Sequence, residues 1–324
     1  MRPALLVITS SRSGSSSLAG VMSMLGAALP ATLLGAGPGN QRGHFEPQLL
    51  LEINDEVLAV HGATYWDPVM VPAAWFGSEE AEGFIQRIAA TITEEYRNAD
   101  LPVIKDPRLC RVAPLYVEAL RRLGYEPMAV LPLRHPGESA GSLSHRDGTP
   151  SETAELLQVK ELLGADRFSR GLRRVWTRYD DLLQDWRGTM ERVASGLGFT
   201  WPVPLDQAAA EVEGFLAPGL RRFDAAASHA GAGSLAIRIW EALQAGVAGD
   251  EASARAELDA VRAVTDELDR LSGPWQTSLL LRAAASSEEA AAHGRHLKRI
   301  RRSVYWKLTG PLRLIGRGLG QRPL

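Results

Sequence analysis

Between an apolar run, Ala4–Thr9, and a helical pattern made by Leu18, Val21, Met22 and Leu25 lies the stretch Ser10-Ser11-Arg12-Ser13-Gly14-Ser15-Ser16-Ser17. The first N–H groups of a helix have no partner inside it and carry the positive end of its dipole, so a turn that feeds them is a ready anion site. The serine hydroxyls add donors and Arg12 adds a charge. This is not the nucleotide-triphosphatase loop GxxxxGK[ST], because the spacing differs and no Lys-Ser or Lys-Thr closes it. Two further apolar runs end in cations. Leu101–Ile104 runs into Lys105-Asp106-Pro107-Arg108, and Met128–Leu133 into Arg134-His135-Pro136, with Ser142 and Arg146 beyond. Any one of these charges is ordinary for a solvated surface. A cation at three run ends, Arg12, Lys105 and Arg134, points instead to a polyanionic ligand.

Those three residues converge only if the runs are parallel strands of one sheet. A fourth run, Arg174–Tyr179, ends in Asp180-Asp181, and helical patterns intervene at Ala81–Tyr96, Ala113–Leu123 and Gly188–Leu197. Short strands alternating with helices predict an α/β fold: a phosphate-loop-like parallel sheet flanked by helices, with ligands beyond the carboxyl ends of the strands. From about residue 225 the chain turns rich in Ala, Ser and Glu with helical spacing, as at Val261, Val264 and Leu268, and predicts a helical C-terminal extension. The expected division is 1–224, 225–290 and 291–324. Gly62–Gly77 and Glu155–Arg173 carry little pattern and are left to line an acceptor.

The whole-chain values narrow the class further. With 324 residues, 45% hydrophobic and 23% charged, the chain is globular rather than disordered, collagenous or coiled-coil. It is long enough to bury a core without staples. The single cysteine, Cys110, excludes an intrachain disulfide and the usual multi-cysteine zinc site, and suits a reducing cytoplasm. No run of 18 apolar residues predicts a membrane span, and MRPALLVITSSRSG reads as a first strand rather than a signal peptide. A net charge of −2 argues against nucleic acid as a partner, yet residues 291–324 hold nine Lys or Arg and no Asp or Glu, which leaves residues 1–290 at −11. In that tail Leu297, Ile300, Val304 and Leu308 recur at helical spacing among Lys298, Arg299, Arg301 and Arg302. A basic amphipathic helix of this kind adsorbs to an anionic membrane surface or docks on an acidic body.

Taken in order, these motifs resemble the sulfotransferases that use 3′-phosphoadenosine-5′-phosphosulfate (PAPS), particularly bacterial enzymes acting on glycans and natural products. Arg12-Ser13-Gly14-Ser15-Ser16-Ser17 is similar to the family's 5′-phosphosulfate loop in its Arg-Ser-Gly-Thr-Ser form, where many members have Lys in place of Arg12. Leu133-Arg134-His135-Pro136, with Ser142 eight residues after Arg134, resembles the 3′-phosphate motif. Tyr179-Asp180-Asp181-Leu182-Leu183 resembles the Tyr-Glu-Asp-Leu segment. Phe215-Leu216-Ala217-Pro218-Gly219-Leu220-Arg221-Arg222 resembles the late loop that closes over the cofactor. Gly43-His44-Phe45-Glu46, with Asn40 before it, is similar to a pattern whose glutamate is the general base in several relatives. His44 and His61 stand in reserve, since other members use a histidine. Lys105 in Lys-Asp-Pro resembles the lysine of tyrosylprotein sulfotransferases.

The resemblance implies PAPS as sulfuryl donor, released as adenosine 3′,5′-bisphosphate, with no metal. It implies Glu46, Lys105 and Arg12 as catalytic residues. Ser11, Arg12, Ser13, Gly14, Ser15, Ser16, Ser17, Arg134, Ser142, Tyr179, Arg221 and Arg222 would hold the cofactor. Trp66 could stack on adenine or a sugar, or simply fill core. The acceptor implied is a hydroxyl of a glycan. A Trp-Lys-Leu-Thr-Gly-Pro-Leu-Arg stretch at 306–313, similar to one on cell-surface polysaccharide enzymes, agrees with that. The location implied is cytoplasmic, peripheral at the inner face of a membrane. Two other readings stay open: a nucleotide-dependent kinase, and a non-catalytic scaffold of a surface-polysaccharide complex.

Overall fold

The computed structural model of the chain describes residues 1–35, 43–216 and 235–271, together with residues 273 and 278. The strands are β1 (Arg2–Val7), β2 (Val103–Lys105), β3 (Tyr125–Leu133) and β4 (Arg173–Arg178). The helices are α1 (Ser15–Met24), α2 (Gln48–Val60), α3 (Glu79–Tyr96), α4 (Leu109–Arg122), α5 (Pro136–Asp147), α6 (Ser151–Ser169), α7 (Tyr179–Gln184), α8 (Trp186–Leu197), α9 (Leu205–Phe215) and α10 (Leu235–Val247), with a short 3-10 turn at Ala73–Gly77. The four strands form one sheet in the order β2-β1-β3-β4, every pairing parallel. The expected α/β sheet flanked by helices is therefore the observed one.

Successive residues of a strand point to opposite faces, and β1 feeds both layers. Ala4, Leu6 and Ile8 pack with α2, α3 and α4, while Leu5 and Val7 pack with α1, α8 and α9. Burial on both faces is why the strand sequence is a continuous apolar run rather than an alternating one. From β1 the chain crosses to β2 on one side, and β3 then pairs on the other side of β1. Adjacent strands whose connections leave in opposite directions open a crevice at their carboxyl ends, here between β1 and β3.

One expectation is corrected. Residues 155–169 belong to α6 and are not an acceptor-lining loop. The helix shows no polar face because its middle is buried nearly all round, from Leu157 through Ala165, including Gln158, Lys160 and Glu161. Amphipathic periodicity reports a helix with one wet side, and α6 has none there. α10 packs on α6 and β4. The chain divides into compact units at Met1–Thr265 and Asp266–Leu324. Among the described residues no helix is long and apolar enough to cross a membrane. The basic tail, 291–324, lies outside the described residues.

Candidate functional site

The loop that leaves β1 is stitched to the end of β3. The Thr9 hydroxyl donates to the Pro132 carbonyl at 2.6 Å and lies 2.8 Å from the Ser13 hydroxyl. Arg12 takes a left-handed φ of 66°, a region that residues with a Cβ seldom visit. In that conformation its carbonyl accepts from Arg134 Nη1 at 3.3 Å, and its own Nε donates to Ser142 Oγ at 2.9 Å. Burial first, and then the neighbouring Arg146, hold the Arg12 guanidinium below the usual arginine range. Arg12, Arg134 and Ser142, 130 residues apart in sequence at the extremes, thus share one edge of the β1–β3 crevice.

Gly14 caps α1 with a φ of 86°. A Cβ on Gly14 would collide with the ring of Tyr179, so both its backbone and its lack of side chain are used. Tyr179 opens α7 where β4 ends, and the Arg134 guanidinium lies 5.0 Å from its ring centroid. Its hydroxyl engages Ser17.

Arg134 is gripped at Nε by Glu138 at 2.8 Å, yet its Nη2 is buried with no hydrogen-bond partner. Ser139 Oγ, Ser144 Oγ and His135 Nδ1 on the same stretch are also buried without partners. Stranded polar atoms are rare because each costs its desolvation. Of these, Arg134 Nη2 belongs to a side chain that also reaches the Arg12 carbonyl in the loop.

On the other flank of β1, Lys105 ends β2. Its ammonium donates to Glu46 Oε1 at 2.5 Å, to Ser16 Oγ at 3.2 Å and to the His44 carbonyl at 3.2 Å. Lys105 and Glu46 are nearly enclosed, with side chains 3% and 8% exposed. The segment carrying Glu46 turns inward at Phe45, whose φ is 53° and whose ring meets Phe215 edge-on. His44 Nδ1 lies 4.0 Å from Glu46 Oε1, and burial holds its imidazole below the ordinary value. His61 is elsewhere, edge-on to Trp75.

In Lys105-Asp106-Pro107-Arg108 the lysine alone reaches the loop. Asp106 accepts from Asn54 and from Arg108, and Arg108 pairs with Asp55, so these two clamp α2 beneath the site. Tyr65 and the exposed Trp66 stack edge-on, with Arg146 over the indole at 5.5 Å.

The structure therefore brings together Arg12, Ser13, Gly14, Ser15, Ser16, Ser17, Glu46, Lys105, Arg134, Ser142 and Tyr179. Ser11 faces a different partner: its N–H and hydroxyl both go to Glu161. Arg221, Arg222 and Asn40 lie outside the described residues. Sequence reasoning passed over Glu161 and Arg111, for which no motif exists. Among the described residues no group of three His, Cys, Asp or Glu is placed to hold a metal. A cavity of about 420 Å³ beside β4, between α6, α8 and α10, contains none of the loop residues.

No family model matches the chain, and no curated protein sequence does. Among solved structures it is similar to a sulfotransferase domain from the Synechococcus PCC 7002 olefin synthase, at 15% identity and a TM-score of 0.43 over 75% of this chain and 94% of that one. It is also similar to a sulfotransferase domain from the curacin biosynthetic pathway, at 15% identity and a TM-score of 0.36 over 69% and 82%. Likeness at that level leaves the fold to be read from this chain's own sheet order, and its chemistry from its own residues.

Proposed function

We propose that the chain is a PAPS-dependent sulfotransferase that modifies a hydroxyl of a carbohydrate acceptor, with Glu46 as general base. The observation that carries the reading is the meeting of Lys105 and Glu46 at Ser16, on the first turn of α1. A proton acceptor and a fixed cation stand side by side where a helix N-terminus already favours an anion.

The donor groups suit PAPS. The α1 N-terminus, Lys105 and Arg12 match a 5′-phosphosulfate, and the stranded Nη2 of Arg134 together with Ser142 matches a 3′-phosphate. Bound PAPS supplies a sulfuryl group whose S–O bond to the 5′-phosphate breaks as the acceptor oxygen bonds to sulfur. The protein's part is electrostatic and acid–base. With PAPS bound, Lys105 at the first turn of α1 and the charge of Arg12 would stabilise the oxygen on which charge grows, and so favour the transition state over the ground state. Glu46 takes the hydroxyl proton during attack. A phosphate at Ser16 would compete with Glu46 for the Lys105 ammonium and release the carboxylate for that task. The sulfuryl unit carries less charge than a phosphoryl group, so no metal is part of the proposal.

Thermal-shift measurements with adenosine 3′,5′-bisphosphate, ATP and GTP test the ligand class. The bisphosphate should stabilise by about 2.7 kcal/mol at a hundredfold excess over Kd. Transfer of radiolabelled sulfate from PAPS to a panel of glycans tests the reaction. Stabilisation by ATP and not by the bisphosphate would sink the reading.

A further inference from the structure

Beneath the loop sits a carboxylate that the proposed reaction does not use. Glu161, on α6, is wholly buried. Its Oε2 accepts the Ser11 N–H at 2.7 Å and its Oε1 the Ser11 hydroxyl at 3.1 Å. Gln158, three residues earlier on the same helix, donates to the Ser11 carbonyl at 2.9 Å. Ser11 is thus held at its N–H, its C=O and its side chain. On the far side, Arg111 Nη2 lies 3.4 Å from Glu161 Oε1, and the same guanidinium donates to the carbonyls of Thr64 at 3.2 Å and Tyr65 at 3.1 Å. The Tyr65 hydroxyl returns to Ser11 Oγ at 2.9 Å. The loop, α6, α4 and the segment carrying Tyr65 and Trp66 therefore close into one buried circuit.

A carboxylate under an anion loop would repel the ligand if it stood alone, but Arg111 offsets its charge. What remains is grip. Fixing Ser11 from both sides fixes the chain as it enters Arg12, whose left-handed turn brings the Arg12 carbonyl to Arg134 and its guanidinium to Ser142. Resting on the sulfotransferase reading, we infer that Glu161 is a positioning residue: with Arg111 it sets the phosphate loop and ties it to the Thr64–Trp66 segment.

Amide hydrogen exchange of segment 8–17 in the free protein reads this grip without any ligand. In Glu161→Gln that segment should exchange about tenfold faster, as expected for weakening a hydrogen bond to a charged group, with the strands unchanged. KM for PAPS should rise by a similar factor with kcat changed less. Wild-type exchange in a folded Glu161→Gln overturns the inference. So does fast exchange with an unchanged KM, because a side chain serving only the core would lower the melting temperature and leave KM alone. If Glu161→Gln does not fold, Tyr65→Phe decides, since it removes one hydroxyl from the circuit and strands no charge. Faster loop exchange and a raised KM in that variant support the inference, and wild-type values of either overturn it. A wild-type protein indifferent to adenosine 3′,5′-bisphosphate would sink the sulfotransferase reading, while the exchange comparison would still judge the hold on the loop.

Discussion

Glu46 and Lys105 are each other's buried partner, so a change at one alters the other. Glu46→Gln keeps the shape and removes the proton acceptor, and kcat should fall by about 10²–10⁴. It also leaves the buried Lys105 ammonium without its counter-ion, with only Ser16 and the His44 carbonyl as further acceptors. Breaking a buried pair from one side costs about 3–5 kcal/mol, so the melting temperature should fall as well. A double change to Glu46→Gln and Lys105→Met should recover stability without recovering turnover, which separates the two effects. Arg134→Lys keeps a cation against Glu138 but loses the guanidinium fork, with its stranded Nη2. PAPS affinity should drop about tenfold or more while adenosine phosphosulfate, which lacks the 3′-phosphate, is bound as before. Equal loss for both ligands would place the 3′-phosphate elsewhere. His61 has a different signature. Its Nε2 is buried without a partner, and burial holds the imidazole below its ordinary 6.5. The folded chain then binds this proton less readily than the unfolded one, so the contribution is whole above about pH 6.5 and is lost as pH falls below it. His44 acts in the same sense, and Glu161, raised by burial, acts in the opposite one. Melting temperatures followed from about pH 7 to about pH 5 should fall less steeply in His61→Phe than in wild type.

At the scale of elements, the approach of α4 to α6 governs where Glu161 lies. Pro114 inside α4 has no N–H, which leaves the Cys110 carbonyl four residues earlier without its helical donor. Gly164 of α6 comes so close to that carbonyl that a Cβ would collide with it. Arg111 follows Cys110, and Glu161 precedes Gly164 by one helical turn, so the bare spot on α6 lets the ion pair form. Gly164→Ala should force the helices apart and cost about 1–3 kcal/mol, measured by urea unfolding. Its loop should also exchange faster in segment 8–17, because the separation reaches Ser11 through Glu161. Full stability in Gly164→Ala would show that α6 can shift without consequence.

For the whole molecule, charge is divided unevenly between the body and the tail. Residues 1–290 carry −11 against nine cations and no acid in 291–324. We propose that the tail carries the chain to an anionic membrane surface. Full-length protein should bind phosphatidylserine vesicles at low salt and release them as salt rises, since the Debye length shrinks to about 10 Å at 0.1 M. A chain ending at residue 265, the limit of the first compact unit, should keep a cooperative thermal transition and its response to the bisphosphate while ignoring the vesicles. Full-length protein that ignores them at low salt would remove the membrane proposal.

The sequence by itself determined the strands, the parallel sheet and the loop that opens α1. Continuous apolar runs ending in Gly, Ser or a cation leave little choice for strands buried on both faces, and Ser13–Ser17 announces a helix N-terminus by composition. Lys105 and Arg134 stand out as cations at the ends of apolar runs, whereas Glu46 and Tyr179 are singled out only through resemblance to a family, since a lone carboxylate or tyrosine has no pattern of its own. Tertiary structure decided the rest. Residues 155–169 are helix although their periodicity is silent, because the middle of α6, Leu157–Ala165, is buried nearly all round and keeps no polar stripe there. Asp106 and Arg108, which close the same strand as Lys105, serve as clamps on α2 because Asn54 and Asp55 meet them there. Ser11 gives its N–H and hydroxyl to Glu161 because a close helix crossing, at Pro114 and Gly164, puts a carboxylate beneath the loop. Pairings across 150 residues depend on how the helices pack and not on local spacing, and only the folded chain contains them.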